Sequence, residues 1–326
     1  MSTTPVVSIV IPTRNRAALL RRALESVVGQ TYRPLEVIVV DDASTDATGE
    51  TVKAFAAAHP DLQLRYVRHE ARQGGARARN VGIARATADF VAFLDDDDEW
   101  LPDKTSRQVS FLQSHARHVA VSCLFVRQGA HTARRAKIGG RRSSTPAEVT
   151  LDELQWGNVC GSFSFAMARR SALRRSGGIT DDLASCQDWD FWLRMSEVGP
   201  IHVLQHHLAT YHDEVRDRIS RRYDDIYRGY RRAYLRHAGR FSRPCRRRHL
   251  KYLLHLQYRI ARGGRARVRA LERELRRGFP LFALIDAVHF VLPPRLFALS
   301  RGIATKLGLF LGDTTLMPGG VPEPRR

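Results

Sequence analysis

The sequence predicts an α/β protein in which a mostly parallel sheet is flanked by helices, with a basic helical region after it. Short apolar runs rich in Val, Ile, Leu and Phe recur along the first hundred residues. A segment of helical composition separates each run from the next. Strands that alternate with helices at this spacing form parallel sheets. A sharp rise in positive charge after residue 213 predicts the basic region.

The predicted elements follow one another in order. Four apolar runs of five or six residues have the length and composition of buried strands. They cover residues 6–11, 36–40, 62–67 and 90–94. Between them lie three segments whose apolar residues are three and four positions apart, as on one face of a helix. These segments cover residues 17–28, 47–58 and 76–86.

Beyond residue 100 the pattern is less regular. We expect a helix at 103–112, a strand at 119–126 and a strand at 162–168. Residues 127–145 are basic and rich in Gly and Ser, which predicts a mobile loop. A further helix is expected at 189–196, with Asp188 as its N-cap.

Composition excludes several classes of protein. The chain of 326 residues is 43% hydrophobic and can bury a core, so a wholly disordered chain is excluded. We find neither a secretory signal nor an uncharged apolar run of about 18 residues, the length that spans a bilayer. The four cysteines have neither zinc-clip nor disulfide-framework spacing. We therefore expect a cytoplasmic protein with reduced thiols.

The net charge of +20 is concentrated in one region. Residues 1–213 carry a net charge of +2, whereas residues 214–301 carry +17. We expect a domain at 1–213, a basic helical appendage at 214–315 that associates with membranes, and a disordered tail at 316–326. An anionic membrane surface or nucleic acid would balance this charge, and a solvated helical face is the alternative. The tyrosines of the appendage recur at helical spacing, which favours core packing.

Acidic residues follow two of the predicted strands. Asp95, Asp96, Asp97 and Asp98 come directly after residues 90–94, and Asp41 follows residues 36–40. The carboxyl ends of parallel strands are where such sheets bind ligands. Carboxylates this close repel one another, and Mn²⁺ or Mg²⁺ neutralises them because these ions prefer oxygen ligands. A solvated acidic turn is the alternative.

Further polar residues accompany these acidic loops. Arg77 and Arg79 suit a phosphate or the aspartates, and Asp46 suits a helix cap. Asp188 lies between bulky aromatic residues, where partial desolvation would raise its pKa and suit it to act as a general base. Standard phosphate-loop and dinucleotide fingerprints are missing from the sequence.

Together the motifs resemble one family. VSIVIPTRNR (7–16), VVDDASTD (39–46), ARNVG (78–82) and FLDDDDEWLP (93–102) resemble the family-2 glycosyltransferases of the GT-A fold. The resemblance continues through GGITDDL (177–183) and QDWDFWLR (187–194), and covers about residues 5–215. It implies a Rossmann-like, mixed, mostly parallel sheet flanked by helices. It also implies an inverting, hexosyltransferase-type enzyme that moves a sugar from a nucleotide-sugar, with a UDP-sugar favoured, to an acceptor hydroxyl.

The resemblance also implies roles for particular residues. Those expected to bind the donor are Pro12, Thr13, Arg14, Asp41, Arg79, Asp95 and Asp96. Asp97 would be the direct metal ligand and Asp188 the catalytic base. The sequence departs from the family at Gln187, where glutamate is usual, and at Ala43, where glycine is commoner.

The resemblance suggests a saccharide or lipid-linked acceptor, in the synthesis of cell-surface polysaccharide or glycolipid. The enzyme would then act peripherally at the cytoplasmic face of the membrane. One alternative is a nucleotidyltransferase that makes nucleotide-sugars. A second is a nucleic-acid-binding protein that uses the basic third, which we consider unlikely because it carries no nucleic-acid-binding motif. A third is an inactive relative that binds the donor.

Three histidines of the first domain also need a role. We interpret His206, His207 and His212 as structural residues and not as metal ligands. Residues 127–145 and 156–164 are expected to select the acceptor.

Overall fold

The computed structural model describes residues 6–129, 132–136, 145–212 and 222–261. Contacts between residues divide the chain into two units, Met1–Asp217 and Arg218–Arg326. The predicted tail at 316–326 lies outside the described residues, as do residues 130–131 and 137–144 of the predicted loop and residues 214–221 and 262–315 of the predicted appendage.

The first unit is built on a mixed sheet. Its strands within the described residues are β1 (Val7–Thr13), β2 (Leu35–Asp41), β3 (Gln63–Arg68), β4 (Phe90–Phe93), β5 (Glu99–Trp100), β6 (Ala120–Gly129), β7 (Thr132–Ala136), β8 (Glu148–Val149), β9 (Met167–Arg169) and β10 (Ile201–His212). Their order is β3-β2-β1-β4-β9-β6-β10-β5, with β7 beside β6 and β8 beside β10. The pairs β1–β2, β2–β3, β1–β4 and β6–β10 are parallel, and β9 runs antiparallel between β4 and β6.

The apolar runs form the strands that the sequence predicts. Every residue of β1 and β2 is buried, because both strands lie inside the sheet with helices on its faces. The third run differs from the prediction of a buried strand. β3 is at the edge of the sheet, and its residues alternate between exposed and partly buried. An edge strand has one neighbour and needs fewer apolar side chains.

Helices cover the sheet. They are α1 (Ala17–Val28), α2 (Thr48–Ala58), α3 (Gly75–Arg85), α4 (Lys104–Ser114), α5 (Leu151–Leu154), α6 (Arg170–Arg175) and α7 (Gln187–Val198). α1 buries one face through Leu20, Ala23, Leu24 and Val27. α3 lies so close to β1 that a Cβ on Gly82 would be 2.2 Å from a methyl carbon of Val10. The close packing of α3 on β1 therefore requires a residue without a side chain at Gly82, the glycine of the ARNVG motif.

Three predicted segments differ in the structure. Residues 127–129 extend β6, and β7 pairs with it antiparallel, so this part of the predicted mobile loop forms sheet. Residues 162–168 begin with a single 3₁₀ turn, Phe163–Phe165, and only then enter β9. Asp188 is not the N-cap of α7 but lies in its first turn, because Cys186 occupies the cap position in the left-handed conformation.

The second unit is helical in its described part. α8 (Tyr223–His237) and α9 (Arg243–Ala261) pack on each other. Of the four tyrosines that recur at helical spacing, Tyr227, Tyr230 and Tyr234 are buried in this core and Tyr223 is partly buried, which confirms core packing for three of them. Among the residues that the structure describes, none of the helices is both long and apolar enough to cross a bilayer.

Candidate active site

The acidic residues lie close together at the carboxyl ends of the parallel strands β1, β2 and β4. Thr13 and Asp41 are the last residues of β1 and β2 and are partners in the β1–β2 register. Asp95 follows Leu94 at the end of β4. We call residues 95–98 the acidic turn, because the amide of Asp98 donates to the carbonyl of Asp95 at 3.1 Å. The topology therefore brings together residues more than 80 positions apart.

Arg16 and Thr13 hold the centre of the acidic turn. The Arg16 guanidinium lies 2.9 Å from Oδ1 of Asp96 and 3.3 Å from Oδ2 of Asp97. The hydroxyl of Thr13 donates to the other carboxylate oxygen of Asp96 at 2.8 Å. Burial raises the pKa of Asp96 to about 6, and Asp97 adds to the increase, while Arg16 and Thr13 oppose it. Arg16 thus supplies positive charge to a cluster of like charges.

Ser164, in the 3₁₀ turn before β9, shapes the acidic turn from the other side. Its buried hydroxyl accepts from the amide of Asp95 at 3.1 Å and donates to Oδ2 of Asp98 at 2.6 Å. Its carbonyl accepts from the indole nitrogen of Trp100 at 2.7 Å. One serine therefore fixes both ends of the turn.

Arg79, on α3, connects the acidic turn to α7. Its guanidinium forms an ion pair with Asp95 and donates to Oε1 of Gln187 at 3.4 Å. The guanidinium carbon lies 4.4 Å from the ring centre of Phe163, which is a cation–π distance. These contacts fix the position of the Arg79 guanidinium. Because Asp188 is the residue after Gln187, they also place Arg79 near Asp188.

Asp188 is a partly buried carboxylate in the first turn of α7. Its Oδ2 accepts from the side-chain amide of Asn158 at 2.9 Å, and its Oδ1 accepts from the amide of Trp189 at 2.9 Å. Burial raises the pKa of Asp188 to about 6, and the charge of Asp95 adds to this, while the Trp189 amide and Arg79 oppose it. A carboxylate with this pKa is ionised at neutral pH and accepts a proton more readily than an exposed aspartate.

Asp41 lies on the other side of β1 from the acidic turn. It is buried, accepts from the hydroxyl of Tyr66 at 2.5 Å and from the amide of Ser44 at 2.8 Å, and lies 3.8 Å from Arg68. Burial, together with the bond to Asp41, raises the pKa of Tyr66. The phenol therefore stays protonated and remains a donor at neutral pH.

The neighbouring Asp42 holds a loop in place. It accepts from the amides of Gln73 at 2.6 Å and Gly74 at 2.8 Å, and it lies 3.0 Å from His69. Although burial acts to raise the pKa of Asp42, these hydrogen bonds outweigh it and lower the value. Asp42 thus anchors the start of α3, the helix that carries Arg79.

The donor set of the acidic turn fits the divalent cation that the family resemblance implies. All of its side-chain ligands are carboxylates, the hard oxygen donors that Mg²⁺ and Mn²⁺ prefer. Thr13 and Arg16 bind the two carboxylate oxygens of Asp96. Arg79 pairs with Asp95 and Arg16 also pairs with Asp97, so a cation would share these two carboxylates with the arginines. One or two carboxylates are the usual number for Mg²⁺ beside a phosphate-bearing substrate.

The predicted residues occupy different positions around this site. Asp41, Arg79, Asp95, Asp96, Asp97 and Asp188 lie near the carboxyl ends of the strands or on the helices that follow them. Pro12 is buried within β1, and Arg14 is exposed. Sequence reasoning missed Arg16, Tyr66, Asn158 and Ser164. His212 lies 2.6 Å from Glu99, which agrees with its interpretation as a structural residue.

Solved structures share this fold. S. aureus TarS 1–349 in complex with UDP-GlcNAc matches with a TM-score of 0.60 at 20% identity, over 78% of this chain and 73% of that one. The mannosyltransferase PcManGT from Pyrobaculum calidifontis, in complex with GDP-Man and Mn²⁺, matches with a TM-score of 0.57 at 23% identity, over 88% and 85% of the two chains. The fold is therefore the GT-A fold of glycosyltransferases.

The family follows from the sequence match. The model of the glycosyl transferase family 2 matches residues 8–177, which is more than half of the chain. The chain belongs to this family and is a glycosyltransferase. This agrees with the resemblance and favours a transferase over the nucleotidyltransferase and nucleic-acid-binding alternatives.

Two relatives illustrate the range of the family. WcaA of Escherichia coli K12, provisionally named a colanic acid biosynthesis glycosyl transferase, is 28% identical over 80% of this chain and 90% of its own length. The GalNAc(5)-diNAcBac-PP-undecaprenol β-1,3-glucosyltransferase of Campylobacter jejuni is 30% identical over 52% of this chain and 53% of its own length. The chain thus spans nearly all of one relative and about half of the other.

Proposed function

We propose that this glycosyltransferase is metal-dependent and inverting, and that it moves a sugar from a nucleotide-diphosphate donor to an acceptor hydroxyl. The observation that carries the proposal is Asp188. It is a partly buried carboxylate with a raised pKa, and Arg79 links the start of its helix to the acidic turn. A single displacement needs one such base and one cluster that neutralises the leaving group.

The donor would bind at the carboxyl ends of the strands, between Asp41 and the acidic turn. In this proposal Pro12, Thr13, Arg14 and Asp41 contact the nucleoside. Arg79, Asp95 and Asp96 lie toward the diphosphate, and Asp97 binds Mn²⁺ or Mg²⁺. The bound cation would neutralise charge on the diphosphate leaving group. Arg79 is suited to the same task, because a guanidinium binds phosphate oxygens in a fixed geometry.

Asp188 would remove the proton from the acceptor hydroxyl as the oxygen attacks the anomeric carbon from the face opposite the leaving diphosphate. The Asn158 amide holds one carboxylate oxygen of Asp188, and the Trp189 amide holds the other. Both bonds fix the plane of the carboxylate. The acceptor hydroxyl would therefore meet a base of defined orientation.

Two variants and one control test these assignments. Asp188→Asn should abolish sugar transfer while donor affinity, measured by calorimetry, stays within about twofold of wild type. Asp61→Asn, at an exposed aspartate before β3, makes the same change away from the site and should leave both unchanged. Equal transfer rates for Asp188→Asn and wild type would remove Asp188 from the mechanism. Asp97→Ala should lose the part of donor binding that depends on Mn²⁺.

The donor base is a separate part of the proposal. We favour a UDP-sugar, while the neighbours named above were solved with UDP-GlcNAc and with GDP-Man. A thermal-shift panel of UDP, GDP, dTDP and CDP, each with and without Mn²⁺, should show metal-dependent stabilisation by one nucleotide. Stabilisation by none of them would contradict the proposed donor class.

The acceptor is proposed to be a saccharide or lipid-linked saccharide in cell-surface polysaccharide or glycolipid synthesis, reached from the cytoplasmic face of the membrane. The relative from Campylobacter jejuni carries a lipid-linked substrate in its name. Arg228, Arg232, Arg236 and Arg247 are among the exposed side chains of α8 and α9. Each basic residue near an anionic membrane contributes about 1 kcal/mol. Liposome flotation should show binding to anionic vesicles only, and equal binding to neutral vesicles would contradict it.

A further inference from the structure

A second group of ligand-type side chains lies away from the acidic turn. His118 precedes β6, Glu148 begins β8 and His202 is the second residue of β10. Nε2 of His118 lies 3.1 Å from Oε2 of Glu148, and Nδ1 of His202 lies 2.6 Å from Oε1 of Glu148. One ligand atom from each residue falls within 4.8 Å of the others. We call these three residues the His–Glu–His cluster.

The sheet brings the cluster together. Glu148 and His202 are direct partners in the antiparallel β8–β10 pair, and His202 also pairs with Val121 of β6. The cluster is at the amino-terminal end of β10, whereas His212, beside the acidic turn, is the last residue of that strand. Ten residues of strand span about 33 Å, so the two groups are separate sites.

Aromatic packing holds the two histidine rings. The ring of His202 stacks on Phe111 of α4 with centroids 4.2 Å apart, and the ring of His118 meets Phe111 edge-on at 5.0 Å. The backbone carbonyl of His118 accepts from Arg169 at 2.9 Å. The rings are partly buried while Glu148 is exposed, so a dissolved ion can reach the cluster. Rings fixed before binding lose little freedom when a ligand arrives.

We infer that the His–Glu–His cluster binds a divalent transition-metal ion of the Zn²⁺ class, with water completing its coordination. Two imidazole nitrogens and a carboxylate are a common ligand set for Zn²⁺. Bond lengths of about 2.0–2.2 Å put tetrahedral ligand atoms roughly 3.3 Å apart. The two nitrogen–oxygen distances, 3.1 and 2.6 Å, are close to this value, and one ligand atom of each residue lies within 4.8 Å of the others. Mg²⁺ and Mn²⁺ prefer oxygen ligands, so the cluster and the acidic turn would take different ions.

Such an ion would fasten β8 to the body of the sheet. β8 has only two residues, and after it the chain passes through α5 to Asn158, whose amide holds Asp188. An ion bound by Glu148, His118 and His202 would restrain the segment from β8 to Asn158 at its first residue. Zn²⁺ should therefore raise the melting temperature, because it binds only the folded arrangement.

The experiment uses the full chain with any histidine tag removed. Calorimetry and elemental analysis after Zn²⁺ loading should give one Zn²⁺ per chain at this cluster. His118→Gln and His202→Gln should each weaken that binding at least about tenfold, since a ligand matters no less than its supporting residues. His206→Gln, at an exposed histidine of the same strand, is the matched control and should bind Zn²⁺ like wild type. Asp97→Ala should also retain it, which separates this cluster from the acidic turn.

Either of two results would overturn the inference: wild type that binds no Zn²⁺, or undiminished binding in both histidine variants. In either case the cluster would be a hydrogen-bonded group only. Glu148→Gln, an exposed change with little effect on folding, gives a second test should a histidine variant fail to fold. Co²⁺ loading of wild type adds a direct readout, because tetrahedral Co²⁺ with nitrogen ligands has intense visible absorption that His202→Gln should reduce.

Discussion

Arg79 donates to Asp95 and, at 3.4 Å, to Gln187, so one guanidinium joins the acidic turn after β4 to the first turn of α7. Gln187 stands where the family resemblance predicts glutamate. With a neutral partner there, the charge of Arg79 is shared among fewer carboxylates. Asp188 is the next residue, and both Arg79 and Asp95 influence its pKa. The electrostatics of the proposed base therefore depend on this bridge.

The first prediction concerns pH. Asp188 must be ionised to accept a proton, and its pKa is about 6. The kcat of transfer should therefore fall as pH drops through about 6, by about tenfold per pH unit below it. Asp96 has a pKa in the same range, so donor affinity should be followed over the same pH range. A kcat that stays constant to pH 4.5 would show that Asp188 is not the base.

The second prediction concerns Gln187→Glu. A new carboxylate beside Asp188 disfavours ionisation of Asp188 and should raise its pKa by up to about one unit. The acid limb of the kcat profile should move upward accordingly. Gln113→Glu, the same change at an exposed position on α4, is the control and should leave the profile unchanged. No upward movement in Gln187→Glu would show that residues 187 and 188 are not coupled electrostatically.

The third prediction separates Arg16 from Arg14. Arg16 forms ion pairs with Asp96 and Asp97, whereas Arg14 is exposed. Removal of Arg16 takes one positive charge away from Asp96 and Asp97 and strengthens the repulsion within the acidic turn, so Arg16→Ala should lower the melting temperature without metal. Added Mn²⁺ should then stabilise this variant more than it stabilises wild type.

Arg14→Ala is the matched variant for this comparison. It removes the same charge two residues away and should leave the response to Mn²⁺ at the wild-type value. It should instead weaken donor binding if Arg14 contacts the nucleoside. Equal Mn²⁺ responses in the two arginine variants would contradict the special role of Arg16.

The fourth prediction concerns packing. Gly82→Ala would place a methyl group 2.2 Å from a methyl carbon of Val10, so α3 must move away from β1. Overpacking of this kind costs about 1–3 kcal/mol, and we expect the upper end of that range in chemical denaturation. Gly29→Ala is the control, because its new methyl group would be 3.5 Å from the nearest atom, an ordinary contact. Equal stability of the two variants would contradict the close approach of α3 to β1.

The sequence was most informative where the signal is local. The helix at 17–28 was predicted to the residue, since its apolar positions lie on one face. The four strands before residue 95 were found because each is a short run rich in apolar residues, although Gln63 and Arg65 interrupt the run that forms β3. β5 and β8 were missed, because two residues carry no periodicity. The 127–145 prediction was wrong in part, since pairing with β6 overrides a composition rich in polar residues.

The residues of the candidate site also fall into those that the sequence predicts and those that it does not. The aspartates could be predicted because they follow strands whose carboxyl ends meet at one edge of the sheet. Ser164 and Asn158 could not, since each reaches its partner across 30 or more residues from a segment without regular pattern. Arg14 and Arg16 both lie in the VSIVIPTRNR motif. Which of the two arginines points toward the aspartates depends on the backbone conformation after β1, which the motif does not reveal.

β9 runs between β4 and β6, although 73 residues separate the end of β4 from its start. During synthesis, the sides of β4 and β6 that pair with β9 therefore stay unpaired until β9 has left the ribosome. The same segment brings Ser164 to the acidic turn. We therefore expect that the amino-terminal half does not fold alone: a fragment that ends before residue 160 should aggregate, whereas a fragment that ends at residue 217 should fold. Expression and sedimentation of the two fragments would compare them.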